Sequence, residues 1–328
     1  MTPAARAGAR PALLDVEDLG NDGLDEVLAL ATSPGLPPVL AGAGVAMVFE
    51  KPSARTRNAS EMAVVALGGH PVSMQAAEVG IDTRERAEDV ARTLACYHRV
   101  LCARVFDHQV LVRMVDALAG APDVVPVVNL LSDRAHPCQA VADLLTLRSA
   151  LAPGDASPAA LSGRRVAYVG DANNVCRSLA KVAVLAGMEV RVASPAGFQL
   201  SEESVSEIGR LASATGRGGT LVLTDDPRAA AAGADALYTD VWTSMGQEGE
   251  AERRRRAFAG YAVDGPLLAE AAPDAVVLHC LPAHRGEEIS AEVLEGPSSV
   301  VWRQAAYRLD AMRGVLAWLL GVAPGGPR

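Results

Sequence analysis

The sequence predicts an α/β protein of two domains, each a mostly parallel sheet flanked by helices, with a C-terminal helix that returns to the first domain. Its 328 residues correspond to about two domains of roughly 150 residues. Short apolar runs alternate with amphipathic stretches, which is typical of βα units. A segment rich in Pro, Gly, Ser and Ala at residues 151–163 divides the alternation in two. We therefore place the first domain at residues 1–150 with the C-terminal helix 303–328, and the second at 151–302.

The first half begins with a frayed tail at residues 1–12, followed by a helix at Val16–Ala31. The apolar runs predict strands at Val45–Phe49, His70–Met74, Val100–Arg104 and Val124–Asn129. The amphipathic stretches predict helices at Thr56–Leu67, Glu85–Tyr97, Asp107–Leu118 and Cys138–Leu151. Glycine closes the first of these helices and Asp107 caps the third.

The second half repeats the pattern directly after the loop at 151–163. Its predicted strands are Arg165–Val169, Glu189–Ala193, Thr220–Leu223, Ala236–Tyr238, Ala275–Leu278 and Ser299–Val301. Its predicted helices are Asn174–Gly187, Ser201–Thr215 and Gln304–Leu320. The last helix is long enough to return and pack on the first half. Ligands of such sheets bind at the carboxyl ends of the strands.

Composition excludes several functional classes. With 39 acidic and 30 basic residues the net charge is −9, which disfavours a nucleic-acid partner but permits a local basic pocket for an anion. The chain lacks any apolar window of about 18 residues and any signal-peptide core, so we expect no membrane contact and a cytoplasmic location. Five cysteines without a CxxC pair, and histidines without HxxxH spacing, predict neither a disulfide framework nor a structural metal site.

Two segments lie where a predicted strand passes into a helix. Residues Ser53–Arg57 put a serine, a threonine and two guanidinium groups at a helix N-terminus, which suits a phosphate. An ordinary cap by Ser53 with solvated arginines explains the same residues equally well. In the segment His136–Gln139, the imidazole could donate to a carbonyl oxygen and the glutamine could bind an amide. Taken alone, a plain loop histidine is the simpler interpretation of His136.

Three further segments are ambiguous when each is taken alone. The turn at 170–174 lacks the GxGxxG fingerprint, so Asn174 is either a helix cap or an amide that binds a carboxylate. The segment 240–248 is either a loop that reaches a ligand or a capping box of Ser244 and Gln247. The segment 278–286 holds one cysteine and two histidines, but its spacing fits neither a zinc site nor a cysteine protease.

The run of four arginines at 253–256 is interpreted as a solvated helix face. All but two of the 30 basic residues are arginines, as expected of a G+C-rich genome, so the number of arginines does not by itself indicate a function.

Together and in this order, the five segments resemble the aspartate/ornithine carbamoyltransferase family, and its ornithine branch closely, over about Glu17 to Leu320. The stretches DVWTSMGQE and HCLPAHRGEE are the most specific, since the aspartate branch lacks both. The resemblance implies a carbamoyl-phosphate domain first and an amino-acid domain second. It also implies a homotrimer or a multiple of trimers, and neither a metal nor an organic cofactor.

The activity implied by the resemblance is transfer of the carbamoyl group of carbamoyl phosphate to the δ-amine of L-ornithine, giving L-citrulline and phosphate in arginine biosynthesis. Alternatives are a different ω-amino acid or diamine as acceptor, or a catalytically silent paralogue. The residues implied to bind carbamoyl phosphate are Ser53, Ala54, Arg55, Thr56, Arg104, His136, Gln139, Cys280, Leu281 and Arg308. Those implied to bind ornithine are Asn174, Asp240, Ser244 and Met245. The resemblance also implies that the catalytic residues are Arg104, His136, Asp240 and Cys280.

The sequence departs from the family pattern at three places. Ala54 stands where the family usually has threonine. Gly80 stands where it usually has a glutamine that reaches the carbamoyl phosphate of a neighbouring subunit. Tyr307 precedes the retained Arg308 in place of the usual asparagine. These changes are compatible with a subfamily that uses another acceptor amine and with simple drift.

Overall fold

The computed structural model of the chain describes residues 10–121, 123–243 and 248–325. The chain divides into two compact units, one of residues 1–141 and 308–328 and the other of residues 142–307. Each unit contains a five-stranded sheet whose paired strands are all parallel. The predicted fold class is therefore confirmed.

The sheet of the first unit has the strand order β1-β5-β4-β2-β3. Its strands are β1 (Ala12–Leu13), β2 (Gly44–Phe49), β3 (His70–Gln75), β4 (His98–Arg104) and β5 (Val127–Leu131). The helices that follow in chain order are α1 (Gly20–Thr32), α2 (Ala54–Ala66), α3 (Ala76–Val79), α4 (Ala87–Ala95) and α5 (His108–Leu118). Because β2 and β4 are central and nearly all of their side chains are buried, they form the apolar core of this unit.

The register of this sheet gathers three loops at one edge. Phe49 pairs with Gln75 on one side and with Arg104 on the other, and Arg104 pairs with Leu131. The carboxyl ends of β2, β4 and β5 are thus level with one another. This alignment places the segment after β2, Arg104 itself and the segment after β5 at the edge where α/β sheets bind ligands.

The sheet of the second unit has the strand order β10-β9-β6-β7-β8. Its strands are β6 (Arg165–Val169), β7 (Glu189–Ala193), β8 (Thr220–Thr224), β9 (Ala236–Thr239) and β10 (Val276–His279). Two helices run from one unit into the other, namely α6 (Pro137–Leu151) and α13 (Val301–Leu319). The remaining helices of the second unit are α7 (Asn174–Leu185), α8 (Glu202–Thr215), α9 (Pro227–Ala231), α10 (Ala251–Ala257), α11 (Gly265–Leu268) and α12 (Ala291–Leu294). Because β9 lies between β6 and β10, the segments 170–174, 240–243 and 280–281 follow three neighbouring strands.

Two sequence predictions at the ends of the chain are wrong. Within the predicted frayed tail, residues 10–12 are not frayed, since Ala12 pairs with Val127 and the main-chain N–H of Arg10 donates to Leu319 at 3.0 Å, while residues 1–9 lie outside the described residues. Such pairing is long-range and leaves no local periodicity. The stretch 299–301 is not a strand, because Ser299 forms only an isolated bridge with Val277 and the helix α13 begins at Val301.

One predicted strand begins later than expected, and four short helices were not predicted. The strand predicted from Val124 begins at Val127, because Pro126 has no N–H to donate and only its carbonyl takes part, accepting from Leu101 at 2.9 Å. The short helices α3, α9, α11 and α12 have four or five residues each and were not predicted. A single turn is too short to show a helical period.

None of the helices in the described part of the chain combines the length and apolar character needed to cross a bilayer. The helix α13 instead buries an apolar face in the first unit, where Val315, Leu316 and Leu319 are fully buried. Gly314 lets the backbones of α13 and α1 approach closely, since a Cβ there would lie 2.7 Å from the carbonyl oxygen of Val27.

We expect Gly314→Ala to lower the free energy of unfolding by about 1–3 kcal/mol, the usual cost of overpacking. The new methyl group would also lie 2.8 Å from the main-chain nitrogen of Ala31, so one helix must move. Gly209→Ala is the matched control, because Gly209 lies inside α8 and a Cβ added there would have no atom within 4 Å. This control should raise stability by up to about 1 kcal/mol. Thermal unfolding of the two variants measures both effects, and a neutral Gly314→Ala would contradict the packing.

Candidate active site

The loop after β2 ends in a capped helix. Ser53 is the N-cap of α2, and its hydroxyl accepts a hydrogen bond from the main-chain N–H of Thr56 at 3.3 Å. The first turn of α2 contains Ala54 and Arg55, both exposed. A capped helix start still presents unpaired N–H groups and a partial positive charge to an anion. The cap and the phosphate site, weighed as alternatives from sequence, are therefore compatible.

A cavity of about 500 Å³ opens beside this helix start. Ser53 and Ala54 belong to its wall, together with the side chains of Arg57 and Glu61. Arg57 donates to Glu61 at 2.8 Å, and the Ser73 hydroxyl donates to the same carboxylate oxygen at 2.6 Å. The loop after β2 thus faces an open, polar space.

Arg308 is hydrogen-bonded to two other predicted residues of the first unit. Its guanidinium donates to the Thr56 hydroxyl oxygen at 3.0 Å and to the side-chain oxygen of Gln139. These three residues come from α13, α2 and α6 and are all buried. Arg104, at the end of β4, is buried as well. We call Thr56, Arg104, His136, Gln139 and Arg308 the anion cluster.

His136 lies within this group of positive charges. Burial removes water from its imidazole, and the guanidiniums of Arg308, Arg104 and Arg55 oppose protonation, so its pKa is held well below the usual range. The ring is therefore neutral near pH 7 and retains one N–H that can donate to a ligand oxygen. Several guanidiniums around a neutral donor suit a ligand that carries both phosphate charge and a carbonyl oxygen.

Cys138, which lies between His136 and Gln139 in the chain, is not activated as a nucleophile in this arrangement. Burial raises the pKa of the Cys138 thiol to about 12, although the charge of Arg308 acts in the opposite direction. A thiol that stays protonated is a poor nucleophile.

The low pKa of His136 predicts acid lability. An unfolded histidine titrates near ~6.5. As pH falls below that value the unfolded chain binds a proton that folded His136 does not, so the free energy of unfolding decreases, with a slope approaching about 1.4 kcal/mol per pH unit. The contribution is complete above ~6.5. His136→Asn should show a shallower dependence in chemical unfolding between pH 5 and 7, and equal slopes in the variant and the wild type would contradict the assignment.

In the second unit, Asp240 is the centre of a hydrogen-bonded group. One carboxylate oxygen accepts from the Cys280 thiol at 2.9 Å and from the N–H of Val241 at 2.8 Å. The other accepts from the side-chain amide of Asn173 at 2.9 Å. Asp240 is 5% exposed and Cys280 is half-buried, so the carboxylate is shielded while the thiol borders solvent. We call this set the thiol–carboxylate group.

The cap of α7 excludes one of the two interpretations of Asn174. Asn173, rather than Asn174, is the N-cap, and its side-chain oxygen accepts from Val175 and Cys176. Asn174 is the first helical residue, one position closer to the helix interior. Sequence reasoning missed Asn173 because two consecutive asparagines fit the cap equally well. Asn173 both caps the helix and fixes Asp240.

Arg254 corrects the interpretation of the run 253–256 as a solvated face. Its side chain is buried and donates to Asp171 at 2.7 Å and to the carbonyl of Trp242 at 2.8 Å. The other three arginines of the run are exposed. Burial raises the pKa of Asp171, and the ion pair with Arg254 opposes this shift. Arg254 thereby ties the segment after β6 to the segment after β9.

Two predicted residues, Ser244 and Met245, lie outside the described residues, as does Gln247 of the predicted capping box.

The departure at Gly80 has a structural correlate. Gly80 ends α3 with φ +65°, a left-handed conformation that favours glycine. The side chain of Arg84 already occupies the space that a Cβ at Gly80 would enter.

The donor atoms of Asp240, His279 and Cys280 lie within 4.8 Å of one another, as do those of His284, Glu287 and Glu288. Both ring nitrogens of His279 already form hydrogen bonds, one with Leu281 and one with Glu288. A metal ion bound to the first set would have to displace at least one of these two hydrogen bonds of His279.

Comparisons with known proteins match the chain to two family models. Residues 12–149 match the family model of the aspartate/ornithine carbamoyltransferase carbamoyl-P binding domain, and residues 162–319 match that of the Asp/Orn binding domain. The ornithine carbamoyltransferase of Acidothermus cellulolyticus is 50% identical over 88% of this chain and 88% of the relative. That of Thermus thermophilus is 49% identical over 86% of each chain.

Solved structures give the same result. The crystal structure of the Thermus thermophilus enzyme superposes with a TM-score of 0.81 at 42% identity, covering 95% of this chain and 99% of that one. The ornithine carbamoyltransferase of Pyrococcus furiosus superposes with a TM-score of 0.86 at 38% identity, over 98% of this chain and 99% of that one. Both similarities cover nearly the whole of each chain. The chain belongs to the aspartate/ornithine carbamoyltransferase family.

Proposed function

We propose that the protein transfers the carbamoyl group of carbamoyl phosphate to the δ-amine of L-ornithine, producing L-citrulline and phosphate. The observation that supports this most strongly is the hydrogen bond between the Cys280 thiol and the Asp240 carboxylate. These two residues come from the segments HCLPAHRGEE and DVWTSMGQE, which distinguish the ornithine branch from the aspartate branch. The relatives at about half identity named above are ornithine carbamoyltransferases.

In this proposal carbamoyl phosphate binds in the first unit. Ser53, Ala54, Arg55 and Thr56, with the N–H groups of α2, bind the phosphate, because a helix start combines donors with positive potential. Arg104, His136 and the Thr56 hydroxyl donate to the carbonyl oxygen, where negative charge develops during attack. Gln139 and Arg308 hold this set together through their hydrogen bond.

The reacting amine is positioned by the second unit. The δ-ammonium of ornithine must lose a proton from a group with a solution pKa near ~10.4 before it can attack. The neutral amine then forms the C–N bond at the carbamoyl carbon. As the tetrahedral oxyanion collapses, the C–O bond to phosphate breaks and the departing phosphate takes up the second proton that the nitrogen loses. Asp240 and Cys280 orient the amine, and Asn174, Ser244 and Met245 bind the α-amino-acid end. Holding both reactants in place supplies a large share of the acceleration.

The assembly and role follow from the same resemblance. We propose a homotrimer or a multiple of trimers, in the cytoplasm, acting in arginine biosynthesis. Cys280 and Leu281 also border the carbamoyl group in this proposal. Analytical ultracentrifugation tests the assembly, and a particle of one chain mass would contradict it.

A panel of acceptor amines tests the reaction. The purified protein is mixed with carbamoyl phosphate and, in separate reactions, ornithine, N-acetylornithine, lysine, putrescine or aspartate, and ureido product and phosphate are both measured. We expect kcat/KM for ornithine to exceed that for N-acetylornithine, putrescine and aspartate by at least about 10²-fold, because each lacks a charged group of ornithine that the site would bind. The excess over lysine should be about 10-fold or more, because lysine differs by one methylene group. EDTA should leave the rate unchanged. A preference for any other amine, or phosphate release without a ureido product, would overturn the proposal.

A further inference from the structure

A buried histidine–glutamate pair, His279 and Glu288, is next to the thiol–carboxylate group, since donor atoms of His279, Asp240 and Cys280 lie within 4.8 Å of one another. His279 and Glu288 are 1% and 0% exposed, and the imidazole Nε2 lies 3.0 Å from a carboxylate oxygen of Glu288. The other ring nitrogen, Nδ1, accepts the main-chain N–H of Leu281 at 2.9 Å. All of these atoms belong to the second unit. The carbamoyl transfer described above gives this pair no role.

The hydrogen bonds fix the protonation of the ring. A main-chain N–H can only donate, so Nδ1 of His279 carries no proton. The single ring proton is therefore on Nε2, where it is donated to Glu288. The same oxygen of Glu288 also accepts the main-chain N–H of His284 at 2.5 Å. Glu288 thus selects the tautomer of His279 and holds the far end of the turn 279–284.

The turn that His279 supports has an unusual backbone. Leu281 has φ +60°, a left-handed conformation that is uncommon for a residue with a branched side chain. A conformation of this kind persists only when its surroundings enforce it. The hydrogen bond from the Leu281 N–H to Nδ1 of His279 provides such enforcement, and the residue between them is Cys280. The thiol of Cys280, between the two residues of this hydrogen bond, donates to Asp240.

The main chain of His279 is held as firmly as its ring. Its N–H donates to the side-chain oxygen of Gln304 at 2.9 Å, and the Gln304 amide donates to Asp143 at 2.7 Å. Gln304 and Asp143 are also buried. His279 is thus held through both its ring and its backbone.

We propose that His279 is a positioning residue for carbamoyl transfer. Its Nδ1, kept unprotonated by Glu288, holds the Leu281 N–H and thereby places the Cys280 thiol on Asp240 and Leu281 at the carbamoyl end. This proposal rests on the proposed function, since it assigns a role in that same reaction.

Two substitutions separate the contacts of the ring. In His279→Asn the amide oxygen lies near the position of Nδ1, so the Leu281 N–H keeps its acceptor and only the bond to Glu288 is lost. In His279→Gln the amide nitrogen lies near the position of Nε2, so the bond to Glu288 is kept and the Leu281 N–H loses its acceptor. Both variants remove the same buried ring. A purely structural role would give the two variants similar activities.

We expect His279→Asn to retain kcat within about five-fold of the wild type, and His279→Gln to lose about 10²-fold, the usual effect of a misplacement near 1 Å. Inorganic phosphate should bind all three proteins with the same affinity within two-fold by calorimetry, because the anion cluster belongs to the first unit. Equal kcat values for the two folded variants, or a larger loss in His279→Asn, would overturn the proposal. A wild-type protein that makes no citrulline would instead refute the proposed function.

Glu288→Gln provides a second test if the histidine variants do not fold. One oxygen of Glu288 accepts both hydrogen bonds, and the other makes none within the described residues, so an amide nitrogen there breaks no contact. This variant should keep kcat within about three-fold of the wild type. ¹⁵N NMR of histidine-labelled wild type should show a resonance pair for a buried ring protonated at Nε2 alone. A hundred-fold loss in folded Glu288→Gln, or a His279 ring protonated at Nδ1, would contradict the proposal.

Discussion

Arg308→Ala is expected to lower kcat/KM for citrulline formation by about 10²–10³-fold, the usual cost of removing one preorganised donor from a charged transition state. The guanidinium of Arg308 is buried against Thr56 and Gln139 and contributes to the low pKa of His136. Its removal withdraws a positive charge from the phosphate and releases both neighbouring side chains. Steady-state kinetics with carbamoyl phosphate varied at saturating ornithine measures the effect.

Arg313→Ala is the matched control on the same helix. Arg313 donates to the carbonyls of Ala31 and Ser33 at 3.0 and 2.9 Å and is not part of the anion cluster. Losing these bonds should cost about 1–3 kcal/mol of stability, while kcat/KM stays within two-fold of the wild type. If Arg308→Ala had the kinetics of Arg313→Ala, Arg308 would have no part in binding carbamoyl phosphate.

Asp240→Asn is expected to lower kcat/KM for ornithine by about 10²-fold or more. The carboxylate of Asp240 accepts three hydrogen bonds, from Cys280, Val241 and Asn173. Asparagine has one acceptor oxygen, so its amide nitrogen must face at least one of these donors and leaves a buried group unpaired. Binding of inorganic phosphate should remain within two-fold of the wild type in calorimetry, because the anion cluster belongs to the other unit.

Asp235→Asn is its matched control at the opposite end of β9. Asp235 accepts from Arg164 at 2.9 Å and from the main chain of Arg165 at 2.8 Å, at the amino end of the sheet. The same change of charge there should leave kcat/KM within two-fold of the wild type. Similar losses in the two variants would mean that the effect of Asp240→Asn is one of stability rather than of site geometry.

Much of the fold was predictable because buried parallel strands are continuous apolar runs. The run 45–49 is a central strand of the first sheet, and the chemical segments that follow such runs lie together because strands of a parallel sheet end at one edge. The anion cluster illustrates the limit of this reasoning. The sequence placed Thr56 and Gln139 at helix starts, but only the structure shows Arg308, from the last helix, bonded to both.

The remaining features lacked a local pattern. Four identical arginines give no indication of which one faces inward, so the burial of Arg254 against Asp171 could not be predicted from 253–256. The strand Ala12–Leu13 exists only because it pairs with residues more than a hundred positions away. Nothing in the sequence around Glu288 indicates that it is completely buried beside His279.

The position of the transferred group tests the central claim most directly. Carbamoyl phosphate labelled with ¹³C at the carbonyl is mixed with ornithine and the purified protein, and the reaction is followed by ¹³C and ³¹P NMR. We expect the label to appear as the ureido carbon of citrulline, bonded to Nδ, with one phosphate released per citrulline. Label on the α-nitrogen, label in bicarbonate alone, or label retained in carbamoyl phosphate would contradict it.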